Sequence, residues 1–507
     1  MSPRTALAVV LILGAALRFW NIGAGLPYRI GPDEPVIAEH AINMMRTGSF
    51  HPGFWDYPSL YIYVQLAVGC VRFVTGAMSG MWRSVSEFYP EHLFLWTRML
   101  NAAVGTITIA MVYQSGVRWG RWTAIAAAAI FAVWPNHVRE SHFALTDVPL
   151  TFFTVLTLLF SLRAHDTAAF RWFAAAGCSA GLAAATKYPG VYTLALPLIA
   201  SLVAGTSLSR RLGSIGLTMV AAGAGFLVAA PYTVLDLPGF LNGFAVLSRY
   251  YRPRPFSDGA SIYIAHLRAA IGWPGLVIVL AGILWGTLRA TRAGGLRTWA
   301  LILLFPLIYF YAVSTKYLIY GRYLLPIVPF LCLSMAIVLA DATSWVWRLN
   351  RPFQIRAAIV AAILSLGLFQ VVRAGFQWPA EYGRMTTQDV AYGRILEVIP
   401  RGAGVVVERS VLRLPDSLYR KTDVHRMIVR TAEDYVSSRT TFVVASSEAF
   451  GPIMARPSQH PVEYEAYQRL FNRPGHCLPT IQPTASIPGP EIIICRLDAP
   501  IATGDPR

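Results

Sequence analysis

The chain has 507 residues, of which 55% are hydrophobic and only 14% charged, with a mean hydropathy of +0.49. Soluble chains carry roughly 25% charged residues, so this composition excludes a soluble enzyme and points to a polytopic membrane protein with a separate tail. The net charge of +17 does not signal nucleic acid: from residue 374 onward 15 basic residues face 14 acidic ones, so nearly all the excess lies in the apolar part.

In chain order, MSPRT followed by an apolar run ending in ALRFW lacks a small-residue cleavage site and reads as an uncleaved signal-anchor. Hydropathy predicts spans near 5–21, 94–116, 122–137, 147–163, 172–187, 189–205, 213–230, 270–288, 298–314, 322–341 and 356–373, about eleven by the twenty-residue criterion. Short cytoplasmic loops collect arginine. Arg4, Arg118 with Arg121, Arg163 with Arg171, Arg210 with Arg211, Arg289 through Arg297, and Arg348 through Arg356 all fall on one side. The N-terminus is therefore expected in the cytoplasm, with two long loops (22–93 and 231–269) and residues 374–507 outside. Residues 58–76 are apolar enough to span but contain Arg72. As a span they would invert every later arginine cluster, so they are read as a helix lying along the interface.

The expected fold is an α-helical membrane domain over 1–373, with interfacial helices in the loop 22–93, and a small extracytoplasmic α/β domain over 374–507. In the latter, Asp389–Val398 has helical periodicity, and Gly404–Glu408 and Thr441–Ala445 read as buried strands. The five cysteines show no metal-ligand spacing. Cys477 and Cys495 can form a disulfide if the tail is extracytoplasmic. Lysine occurs only at positions 187, 316 and 421, against forty arginines. That bias suggests a GC-rich bacterial genome, and hence the cytoplasmic membrane.

The most informative stretch is Leu26–Glu39 (LPYRIGPDEPVIAE), where Asp33 and Glu34 follow the first span. Ionisable groups at a membrane boundary are costly and mark function. The bland reading of Asp33 is a helix cap ahead of Pro35. A second acid, Asp147, stands where His137–Leu150 (HVRESHFALTDVPL) re-enters the membrane; its bland reading is likewise an N-cap. Cations accompany them at the same level: Arg98 in LWTRMLN, Lys187 in ATKYPGVY, and Lys316 and Arg322 in STKYLIYGRYLLP. Each alone can snorkel to headgroups; together they suit a phosphate. In Ser248–Asp258 (SRYYRPRPFSD) headgroup contact or sugar stacking on tyrosine is expected, and RNA is not.

These motifs resemble, over roughly residues 5–340, the C-type membrane glycosyltransferases of the protein O-mannosyltransferase and lipid A aminoarabinose transferase superfamily. The resemblance rests on Gly31-Pro32-Asp33-Glu34; Trp55-Asp56-Tyr57-Pro58; Arg98 with the following Leu-Asn-Ala-Ala-Val-Gly; His142-Phe143 before Asp147; Thr186-Lys187-Tyr188-Pro189; and Arg322-Tyr323-Leu-Leu-Pro326. It implies a polyprenyl-phosphate sugar donor, transfer with inversion at the outer face, and a protein, lipid or glycan acceptor.

The resemblance makes Asp33 the general base, with Glu34 orienting the acceptor or tuning Asp33, and Asp147 the second acid. Arg98, Lys187, Lys316 and Arg322 would hold the donor phosphate, and Tyr57, His142, Tyr188 and Tyr323 would line the substrate site. The basic residue that aminoarabinose-type enzymes carry before the first-loop proline pair is replaced here by Tyr57. A divalent metal is compatible with these acids, but no ligand motif calls for one. The competing readings are a flippase of polyprenyl-linked saccharides, which predicts mid-membrane charges and internal repeats, and a non-catalytic membrane scaffold.

Overall fold

In this computed structural model the described residues are 2–31, 33–408 and 412–500, so Pro32 of the Gly-Pro-Asp-Glu motif lies outside them. The helices of the first three-quarters are α1 (Pro3–Phe19), α2 (Glu34–Thr47), α3 (Leu60–Met78), α4 (Phe94–Gly116), α5 (Arg121–Ala132), α6 (Pro135–Glu140), α7 (Asp147–Thr167), α8 (Phe170–Thr186), α9 (Ala195–Val203), α10 (Leu208–Ala229), α11 (Tyr232–Leu235), α12 (Leu237–Tyr250), α13 (Phe256–Arg292), α14 (Leu296–Ser314), α15 (Val328–Trp347) and α16 (Phe353–Tyr382). There follow α17 (Thr387–Val398), β1 (Gly404–Glu408), β2 (Arg420–Val424), α18 (Ala432–Ser437), β3 (Phe442–Ser446), α19 (Ser447–Ala455), α20 (Pro461–Phe471) and β4 (Ile492–Arg496).

Among the described residues eight helices are long and apolar enough to cross a membrane: α3, α4, α7, α10, α13, α14, α15 and α16, some with flanking turns. The remaining predicted spans fall on shorter helices: α1 and α8 have 17 residues each, and α5 and α9 are shorter still. Helix α3 covers the segment read as interfacial. It has 19 residues and the hydropathy of a crossing helix, so Arg72 does not exclude it from spanning.

The chain divides into two compact units. The larger comprises Met1–Ile22, Val36–Val74 and Trp96–Ala380; the smaller comprises Gly23–Pro35, Thr75–Leu95 and Glu381–Arg507. The larger unit is a helical bundle whose core includes Trp134, Phe131, Trp299, Phe305 and most of α15. Apolar lipid offers no hydrophobic drive between helices, so small residues must bring backbones close. On α8 a Cβ at Gly177 would stand 2.4 Å from the Thr218 carbonyl of α10, and one at Gly181 would stand 2.1 Å from that of Ala222.

The smaller unit carries a four-stranded sheet in the order β2-β1-β3-β4, parallel except for β4 against β3. Successive strand residues point to opposite faces, so Val405 and Val407 join one core with α17, while Val406 joins the other with Phe450 and Tyr467. A disulfide joins Cys477 to Cys495 of β4. The strands expected at 404–408 and 441–445 are β1 and β3, and the helix expected at 389–398 is α17.

Candidate active site

Helix α5 stops at Trp134-Pro135 because proline cannot continue its hydrogen-bond ladder. The carbonyls freed there go to a residue the sequence reading passed over. Arg18 of α1, fully buried, donates to the carbonyls of Ala132 (2.8 Å) and Gly14 (2.9 Å) and meets His137 Nδ1 at 2.9 Å. The turn beyond is tied by buried amides. Asn101 donates to the carbonyls of Phe143 (2.6 Å) and Leu145 (2.8 Å) and accepts from Tyr61 (2.8 Å), and Gln65 donates to Ala144 (3.2 Å). Together they fix the start of α7 and its first residue, Asp147.

Asp147 is 2% exposed. Its Oδ1 lies 2.7 Å from Lys187 Nζ and its Oδ2 lies 3.7 Å from Arg322 Nε. Lys187 ends α8, and its ammonium lies 4.4 Å from the Tyr323 ring centroid and 5.8 Å from that of Tyr57. Lys187 and Arg322 thus both meet this carboxylate in a largely apolar setting. Glu140, also buried, pairs with Arg139 at 2.7 Å. Burial pushes its carboxyl above the ordinary range, and Asp147 reinforces that shift.

Beside this cluster opens a cavity of about 360 Å³, within the size range of small-molecule sites. Asp56, Tyr57, Lys187, Tyr188, Tyr192, Tyr251, Lys316 and Tyr323 line it, with Phe244 and Leu247 of α12 on one wall. Tyr188 donates to the Trp55 carbonyl at 2.8 Å, and the hydroxyls of Tyr251 and Tyr323 are 3.2 Å apart. Lys316 has no ion-pair partner among the described residues, so its charge is available to a ligand. Two of the three lysines in an arginine-rich chain thus meet in one cavity, which genomic bias does not explain. A lysine offers a compact charge on a slim stem where a guanidinium fork would need more room.

Within the larger unit, Arg98 is fully buried on α4, donating to the Ile22 carbonyl at 3.3 Å with its guanidinium 5.4 Å from the Phe143 ring. His142 bonds the carbonyls of Val138 (2.8 Å) and Trp20 (2.9 Å) and sets its ring edge against Trp378, and burial holds its pKa below the usual imidazole value. Neither lines the cavity. Asp33 and Glu34 belong to the smaller unit. Asp33 is half-buried in the turn before α2, and Glu34 is fully buried with its carboxylate accepting the Gly31 N–H at 2.6 Å. Among the described residues no group of three His, Cys, Asp or Glu could hold a metal ion.

The sequence reading did not single out Asn101, Gln65, Arg18, Glu140 or the α12 wall. Buried amides in apolar helices were the available signal for the first two. Nothing local marks α12, whose contribution depends on which neighbour it meets.

The family model described as dolichyl-phosphate-mannose-protein mannosyltransferase matches residues 9–248. Dolichyl-phosphate-mannose–protein mannosyltransferase 1 of Saccharomyces cerevisiae is 30% identical over 122 residues, 22% of this chain. Protein O-mannosyl-transferase 1 of Danio rerio is 28% identical over 125 residues, 23% of this chain. These matches span only 15% and 17% of those relatives' own lengths. Among solved structures, ArnT from Cupriavidus metallidurans bound to undecaprenyl phosphate aligns over 99% of both chains, with a TM-score of 0.57 at 15% identity. The archaeal oligosaccharyltransferase AglB from Archaeoglobus fulgidus, in complex with an inhibitory peptide and a dolichol-phosphate, covers 88% of this chain and 69% of its own, with a TM-score of 0.55 at 13% identity. The family model thus matches just under half of the chain, and the likenesses to ArnT and AglB show a shared helical fold.

Proposed function

We propose that this protein transfers a sugar from a polyprenyl-phosphate donor to a hydroxyl or phosphate acceptor at the extracytoplasmic face, with inversion at the anomeric carbon. The observation that carries this reading is the tyrosine-lined cavity beside Asp147, Lys187 and Arg322, with the charge of Lys316 uncompensated. Tyrosine faces and hydroxyls suit a sugar ring, and the ammonium of Lys316 suits the lipid phosphate. Relatives named for dolichyl-phosphate-mannose and a fold neighbour bound to undecaprenyl phosphate support the donor class. The disulfide between Cys477 and Cys495 supports an oxidising, extracytoplasmic compartment for the C-terminal module.

In this reading Asp33 takes the proton from the acceptor as its oxygen attacks the anomeric carbon. Such general-base action contributes about 10²–10⁴-fold. The bond to the phosphate oxygen breaks on the opposite face, and the departing phosphate gains negative charge. Lys187, Lys316 and Arg322 stabilise that charge, the electrostatic role that most lowers such barriers. Asp147 holds Lys187 and Arg322 in place and keeps their charges from repelling each other. Helix α2, which begins one residue after Asp33, packs Ile37, Ala41 and Met44 against Tyr61, Ile62 and Leu145, next to the segment carrying Asp147.

The test is sugar transfer from radiolabelled polyprenyl-phosphate mannose and related donors to membrane fractions by purified protein in lipid. Asp33→Asn is expected to fold, bind undecaprenyl phosphate and transfer no label. Retained transfer removes Asp33 as the base, and movement of intact lipid-linked sugar across the bilayer without transfer supports a flippase instead.

A further inference from the structure

We propose that the smaller unit is a positioning element for catalysis: Tyr28, Arg29 and Asp389 fix the backbone that presents Asp33. This inference rests on the reading of Asp33 as the base.

The stretch Gly23–Pro35 is far in sequence from the C-terminal module yet belongs to the same compact unit. Tyr28 is its anchor. Its hydroxyl donates to Asp389 Oδ1 at 2.5 Å, its ring stacks on Tyr392 with centroids 4.2 Å apart, and its carbonyl accepts the Arg413 N–H at 2.8 Å. Arg29 follows, with its guanidinium 4.7 Å from the Tyr382 ring, 3.7 Å from Asp389 Oδ2 and bonded to the Tyr382 carbonyl. Both side chains of the pair Arg29–Asp389 are more than four-fifths buried, so this is not a solvated surface bridge.

Asp389 is the hub. Its other oxygen closes the capping box of α17 by accepting from the N–H and hydroxyl of Thr386, so it cannot swing away without unwinding the helix start.

Two residues beyond Arg29 the chain is clamped again. The Gly31 N–H donates to the Glu34 carboxylate, and the Glu34 N–H donates to the Gly31 carbonyl at 3.2 Å. Asp33 therefore sits in a turn closed by Glu34, four residues after a segment bolted to the C-terminal module. A base must be held to within a fraction of an ångström of its target, and a displacement of about 1 Å costs on the order of 10²-fold. A bare loop between a span and a helix does not offer that precision.

The experiment uses full-length protein in lipid with radiolabelled polyprenyl-phosphate mannose. The double variant Tyr28→Phe/Arg29→Ala removes the loop's side of the clamp and spares the α17 cap. Its kcat is expected to fall about 10- to 100-fold while the donor KM moves by less than about 2-fold, the pattern of an interaction lost in the transition state alone. Arg29→Lys should recover part of kcat. In Tyr28→Phe alone, which keeps the ring stack and should fold, tryptic cleavage after Arg29 should quicken while undecaprenyl phosphate binding stays unchanged.

Unchanged kcat per folded molecule in the double variant overturns the proposal. So does a donor KM that rises in step with the loss of kcat. If Asp33→Asn is inactive while the clamp variants are fully active, only this inference fails. If Asp33→Asn still transfers sugar, the assignment of the base fails first.

Discussion

Two carboxylates are equally hidden in this protein, Asp147 in the larger unit and Glu408 in the smaller, at 2% and 1% exposure. Their partners differ in kind. Asp147 meets the charged side-chain ends of Lys187 and Arg322, and a cavity opens beside them. Glu408 ends β1 and accepts the backbone N–H groups of Met427 (3.0 Å) and Ser446 (2.9 Å) and the hydroxyl of Tyr467. Burial alone therefore does not mark a functional acid. Side-chain cations can share their charge with an arriving phosphate, whereas amides locked just beyond β2 and at the end of β3 can only hold the sheet together.

The widest separation between the two should come from removing each charge without changing shape. Asp147→Asn is expected to lower kcat/KM about 10²–10³-fold, the loss typical of disturbed charge stabilisation. Glu408→Gln should keep transfer within a few-fold, both judged by radiolabelled transfer per folded molecule. Comparable losses in both variants would erase the distinction. Next, Lys187→Met leaves Asp147 uncompensated on one side. Breaking a buried pair costs about 3–5 kcal/mol, readable as a lowered thermal midpoint in detergent. The double variant Asp147→Asn/Lys187→Met should regain most of that stability and none of the activity.

Glu408→Gln sharpens the other arm. It places an amide donor against donors already present, and an unsatisfied buried group costs about 1–3 kcal/mol, so the C-terminal module should melt earlier. The smallest effect concerns α12. His51 Nε2 lies 2.9 Å from Asp236, whose other oxygen accepts the Gly239 N–H and caps the helix. The bond from His51 holds the Asp236 carboxyl below its ordinary value. A depressed carboxylate contributes stability above its unfolded pKa and loses it as pH falls through the folded one. The tether should therefore hold at neutral pH and fail only in acid below the ordinary carboxylate range. Comparing the acid titration of tryptophan fluorescence in wild type and Asp236→Asn tests this, since Trp55 packs against Phe240 of α12.

Much of the architecture was legible because the physics behind it is local. A bilayer demands about twenty apolar residues per helix, so α4, α7, α14 and α15 were visible as hydropathy, and Val405–Val407 declared a buried strand by being apolar on both faces. Asp147, Lys187 and Arg322 were visible as charges in apolar surroundings. Local patterns could not say that residues 40 and 175 positions apart would share one ion cluster, or that Arg98 and His142 would turn to backbone carbonyls instead of the cavity. Glu34 reads the same as Asp33 in sequence, and only the folded chain decides that the Glu34 carboxylate meets the Gly31 N–H. Composition and spacing thus determined the membrane class, the helix and strand positions and the inventory of charges. Tertiary packing alone decided which charges meet, since pairing energies depend on distance and burial, and neither is written in a one-dimensional pattern.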